Sequence, residues 1–305
     1  MTFFTRLPTR APGRRALGPP GAALGLLVTA ALAAVPAALT GAAPPDTPAP
    51  GPRACFLSPE RFAVAHGTEA RVRLLAGDAL APAPVAWPAA VAWLFSRSPG
   101  VQENLESAAP AADGLVSVPT GRIGVTVVGL DLPPDEIILS AGAWESFRRA
   151  HLPRMRVAES AAERETIRVR HIRSAKSLVR VREAGAGGAS AAAASADAPS
   201  AEAVSKTGQK AELRPLMDAT RLRVGDDLAL CVYADNVRRT GVRVTAVSVA
   251  AGAEQRVDVG EGGLANVRIT HAGPWRIVCH FAEAAEAVDL VLYSATLTFE
   301  VEGGA

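Results

Sequence analysis

The chain has 305 residues, 32 Lys and Arg against 30 Asp and Glu, and a formal net charge of +2. That length can bury one sizeable core or two modest ones, and so small a charge gives no basis for a nucleic-acid partner. Three cysteines, with no CxxC pair and no finger spacing, exclude a zinc-ribbon or redox-motif reading.

The start carries Arg6, Arg10, Arg14 and Arg15, with no acidic residue before Asp46. An apolar run from Gly21 to Val35 follows, and small residues lie between Ala37 and Ala43. A basic stretch, a short apolar stretch and small residues are the order of a secretory signal. The run is short for a membrane span, which needs about 20 apolar residues. Residues 1–43 are therefore expected to be a signal peptide or an N-terminal anchor, which would hold the chain at the membrane if uncleaved. Residues 44–53 are Pro-rich and read as a spacer.

From Ala54 the pattern turns to strands. Ala70, Val72 and Leu74 alternate with Arg71 and Arg73; Val91, Trp93 and Phe95 make a further strand candidate; Val125 to Val128 is β-branched throughout. Period-two alternation broken by Gly and Pro turns is the mark of an antiparallel sandwich. At Ser140 the period changes. Trp144, Phe147, His151 and Leu152 recur at helical spacing, and Ser140 can cap the start. A second helical stretch is expected around Glu159 to Glu165, and strand resumes at Ser177 to Val181. Residues 54–183 thus read as a first β-sandwich domain with a helical insertion near 140–166.

Residues 184–210 are rich in Ala, Gly and Ser and read as a disordered linker, because they offer too little apolar surface to offset the entropy of ordering. Residues 211–302 read as a second sandwich of about seven strands. Its clearest strand pair is Leu264 to Ile269 and Trp275 to Phe281, joined by His271-Ala272-Gly273-Pro274. The expected fold class is mainly β, with two Ig-like or transthyretin-like antiparallel sandwiches.

Cys231 and Cys279 fall in the same module. A disulfide between them is weighed against the placing of Cys231 between Leu230 and Val232, the better core candidates, which turns Cys231 outward. The metal-ligating candidates retained are His271, His280 and Cys279. Cys279 and His280 are adjacent on a strand and so face opposite ways, and no two histidines stand at i, i+4 on a helix. Their ordinary reading is a core cysteine and turn or strand histidines. Eleven Arg or Lys residues crowd 148–182, an array suited to anionic polymer, but Glu159, Glu163 and Glu165 favour a neutralised, solvated face. No GxSxG or phosphate-loop motif occurs, and no enzyme is expected.

Several segments in order carry a resemblance. Phe56 to Phe62 with Gly77-Asp78, Leu139 to Leu152 with Trp144, Glu145 and Phe147, and Ser174 to Val181 come first. Leu222 to Leu228, Gly273-Pro274-Trp275 and Ser294 to Glu300 follow. In these the chain resembles a bacterial periplasmic family, catalogued as a domain of unknown function and often labelled the periplasmic component of cobalt or nickel transport. The resemblance implies a periplasmic or envelope location and a non-enzymatic binding or accessory role, with an envelope or transporter protein as partner. It also implies nickel or cobalt as the metal in question. Cys55 stands where members of that family often begin with a histidine.

Overall fold

The computed structural model describes residues 51–155, 164–184 and 200–303. The signal or anchor of 1–43, most of the spacer and most of the second helical stretch lie outside them. Strands are numbered β1 to β18 in chain order.

A ten-stranded central sheet holds the body together. From edge to edge it runs β15 (Ala253–Asp258), β14 (Arg243–Ser248), β17 (Gly273–Ala284), β18 (Leu290–Val301), β10 (Thr166–Arg182), β8 (Gly124–Asp131), β5 (Trp93–Ser98) and β6 (Val101–Asn104). The spine is β10, 17 residues long. One edge pairs in parallel with β18 over Val169 to Ser177, then with β2 (Ala63–Ala65) over Arg180 to Arg182. The other edge pairs antiparallel with β9 (Asp135–Ser140) and then with β8.

Two four-stranded sheets cover the central one. The first holds β1 (Ala54–Pro59), β3 (Glu69–Gly77), β4 (Ala83–Pro84) and β7 (Leu115–Pro119). The second holds β11 (Ala211–Pro215), β12 (Asp227–Ala234), β13 (Val237–Arg239) and β16 (Leu264–Arg268). Side chains alternate across β18, and so do its neighbours. Ala295, Leu297 and Phe299 join the core beneath the second sheet. Thr296 and Thr298 point the other way and donate their hydroxyls to the Cys55 and Leu57 carbonyls of β1, at 2.7 and 2.6 Å. One covering sheet therefore lies on each face.

Helix α1 (Ala141–His151) starts where Ser140 accepts a hydrogen bond from the Ala143 backbone, and it buries Trp144 and Phe147 against Ile167, Val169 and Leu292. The helix expected at Ser140 is present.

Two expectations differ from the structure. The described residues on the two sides of 184–210 are not separate: they fall in one compact unit, because β10 from the first half and β18 from the second are neighbours in one sheet. The core under the second sheet also takes Val125, Val127 and Leu178 from the first half. Nor is the described end of the expected linker loose. Ala201–Val204 is a short helix, α2, and Thr207 and Gln209 are buried. The Gln209 amide donates to the Leu130 and Ala175 carbonyls at 3.0 and 2.9 Å, just beyond the last paired residues of β8 and β10. It supplies hydrogen bonds where the ladder has opened.

Candidate functional site

The retained metal candidates do not converge. His271 is exposed in the turn before β17, its Nδ1 2.9 Å from the Thr270 hydroxyl. Cys279 faces the core under the second sheet, where burial raises its thiol pKa. His280 faces the opposite way, as alternation requires. Among the described residues no group of three or more His, Cys, Asp or Glu is placed to hold a metal ion. The three cysteines are free and buried. Cys231 lies on the outer side of β12, covered by Arg238, whose Nη2 is 2.8 Å from its sulfur, and so cannot reach Cys279.

What His280 does meet was not legible in its spacing. β18 lies between β10 and β17, and it sets Ser294 between two imidazoles. The Ser294 hydroxyl is 2.7 Å from His171 Nε2 and 2.7 Å from His280 Nδ1. The His151 ring of α1 stands 4.9 Å from that of His280, and Phe147 packs on both. Burial lowers His171 to about 3, with Arg173 adding to the shift; burial, with the neighbouring His151 and His171, also lowers His280. His151 is lowered chiefly by burial. Each shift favours the neutral ring. Ser294 is fully buried and bonded to both rings, so the three side chains form a packed polar seam across β10, β18 and β17.

Every described arginine of the arginine-rich segment has a carboxylate partner, and three of the six carboxylates serve two of these arginines each. Arg148 and Arg149 pair with Glu145, Arg154 with Asp258, and Arg168 and Arg170 with Glu136. Arg164 pairs with Asp289, Arg173 with Asp135, and Arg180 and Arg182 with Glu302. Arg156 lies outside the described residues. Lys176 points inward and meets Glu212 at 2.8 Å, both almost fully buried.

A groove of about 440 Å³ opens beside the end of β1. One wall is the strap from Ser58 to Ala63 that leads from β1 into β2; the other is the surface of β17 and β18 at Pro274, Arg276, Thr298 and Glu300. Pro59, Phe62, Val249 and Pro274 make it partly apolar, and Glu60, Arg61, Arg276 and Glu300 bring charge. Trp275 is fully buried, and its indole N–H donates to the His271 carbonyl at 3.0 Å. Its neighbour Arg276 therefore points to the groove side.

No protein-family model and no curated protein matches the chain. Among solved structures, a 1.5-MDa bacterial ice-binding adhesin matches at 10% identity over 82% of this chain, with a TM-score of 0.23. A Ca²⁺-stabilized adhesin of an Antarctic bacterium matches at 11% identity over 85%, with a TM-score of 0.23, and a Salmonella alpha-2-macroglobulin at 12% over 82%, with a TM-score of 0.21. The chain spans 65%, 50% and 15% of those three chains, less than two thirds of each. Similarity at such TM-scores assigns no function.

Proposed function

We propose that this chain is an exported, non-enzymatic binding or accessory protein of the cell envelope. The observation that carries the reading is the groove beside β1. It has room for a small molecule, since such sites run to about 300–1,000 Å³. Its walls are strand surface and a strap, and its lining holds no histidine or cysteine and no serine paired with a base. Such a recess can hold a ligand but offers little to transform one. Export is supported by the order of residues 1–43 and by the resemblance to a periplasmic family. Among the described residues no helix is long and apolar enough to cross a membrane. The narrower reading, an accessory of nickel or cobalt uptake, rests on the resemblance alone, and no observation in the site favours it.

Cell fractionation with the full chain tests the export. The expected result is a chain shortened at its start in the periplasmic or envelope fraction, or a full-length chain held at the membrane; a soluble cytoplasmic pool of full-length chain would contradict it. The binding half is tested with the small-molecule fraction of an envelope extract. That fraction should raise the melting temperature of the purified protein and be recovered chemically unchanged by mass spectrometry. Steady conversion of a component would make the protein an enzyme.

A further inference from the structure

Most arginines of the long strand and the helix have a carboxylate partner, and against that pattern the groove stands apart. Arg61 and Arg276 both line it, and neither has an ion-pair partner among the described residues. Arg61 is exposed, so its freedom carries little weight. Arg276 is partly buried, and burial alone lowers its pKa, with no carboxylate to offset it. Its guanidinium makes one hydrogen bond among the described residues, from Nη1 to the Ala79 carbonyl at a long 3.3 Å. The rest of this planar, forked donor has no partner among the described residues and belongs to a residue that lines the recess, and such a fork matches two oxygens of one oxyanion.

The other groups narrow the class of ligand. Glu60 is tied to Arg71 at 3.3 Å, and Glu300 feels the charge of Arg182, but both still place negative charge around the opening. With Arg61 and Arg276 set against these two carboxylates, the lining has no net positive charge to hold a ligand of charge −2, whereas a monoanion needs only the one guanidinium. The remaining lining, Pro59, Phe62, Val249 and Pro274, suits an apolar body.

We infer that the groove binds a small monocarboxylate with an apolar body, its carboxylate on Arg276 and its body between the strap at Phe62 and Pro274 of β17. This rests on the binding-module reading above and names the ligand class for the same site.

The test is calorimetric titration of the full chain with N-acetyl-phenylalanine and N-acetyl-leucine, each against its uncharged primary amide, and with inorganic phosphate. The acids should saturate, with the amides and phosphate at least tenfold weaker. Arg276→Gln should weaken the acids at least tenfold with the melting temperature unchanged, and Phe62→Ala should weaken the phenylalanine derivative. Arg122→Gln, an exposed arginine outside the groove, should change nothing. If Arg276→Gln does not fold, the acid-against-amide comparison on the unaltered protein decides alone. Amides that bind as well as acids, phosphate that binds more tightly, or a silent Arg276→Gln would each overturn the carboxylate assignment and leave the binding-module reading standing. Absence of saturation with both acids would overturn it too, and the broader reading would then be decided by the envelope-extract experiment.

Discussion

Ser294 has one proton to donate and two imidazoles to satisfy. It can donate to one ring nitrogen while accepting from the other only if one histidine presents an N–H and the other a lone pair, so at least the ring that accepts must be neutral. Protonation places positive charge inside a seam that already has Arg173 beside His171, with His151 and His171 beside His280. Around His151, Asp78 and Glu254 favour its charged form and Arg256 opposes it, but burial outweighs them. All three rings titrate lower in the folded protein than in the unfolded chain, where histidine stands near 6.5. The unfolded state therefore takes up protons first, and stability, complete above pH 6.5, falls as the pH drops from there toward about 3, where His171 titrates. His171 alone accounts for about 2 kcal/mol of that loss by pH 5. Urea denaturation of the full chain at pH 7, 6 and 5 should show the decline, and His171→Gln should flatten it by about that amount. A profile unchanged by His171→Gln would mean that the ring is protonated, or solvated, in the folded state.

Helix α1 and strand β10 show how differently two elements announce themselves. The helix is written locally: a serine cap, then Trp144, Phe147 and Leu152 on one face, all of which are buried. Of β10 the sequence showed only Ser177 to Val181, because Arg168, Arg170, Arg173 and Lys176 made the earlier part look like charged surface. The alternate residues Ile167, Val169 and His171 are buried, so period two was present but masked by the arginines' own pairing with Glu136 and Asp135. Nor does any local signal pick a parallel partner more than a hundred residues away, or tell Lys176 from an ordinary surface cation. Its partner Glu212 also accepts from the Thr207 and Gly208 backbone, at 2.9 and 3.3 Å. Burial pushes the Glu212 pKa up, but the Lys176 charge and these hydrogen bonds more than offset it and keep the carboxylate ionised. Lys176→Met would strand that charge in the interior, a loss of about 3–5 kcal/mol in chemical denaturation. Adding Glu212→Leu should recover part of it, limited by the buried Thr207 N–H left without an acceptor. A loss below about 1 kcal/mol for Lys176→Met would show that water reaches the pair.

Two sandwiches were legible in the alternation, and a covering sheet on each face is what that alternation builds; the sheet they share was not. Turn residues and apolar periods report neighbours in sequence, whereas β10 against β18, Gln209 against Leu130, and the strap at Phe62 against Arg276 are encounters between distant segments. The groove was illegible for the same reason: Glu60 to Phe62 stood out only as part of a resemblance, and Pro274 read as the end of a turn with Trp275 opening the next strand. The physical consequence is that neither half owns a complete core. Leu213, Leu230 and Val267 of the second sheet close over Val125, Val127 and Leu178 as well as over their own strands, and β1 is held by hydroxyls of Thr296 and Thr298. Residues 191–305 made alone would expose the β18 edge that β10 covers and the apolar surface that Val127 and Leu178 fill, an unpaired edge of the kind that aggregates. The chain made as two pieces, 1–190 and 191–305, should therefore co-purify as a one-to-one complex when co-expressed and melt in a single transition. The 191–305 piece alone should be aggregated or lack a cooperative melt. A monomeric 191–305 with its own sharp transition would mean that the second sheet and its strands hold a sufficient core, and that the shared sheet is a docking of two finished domains rather than one folding unit.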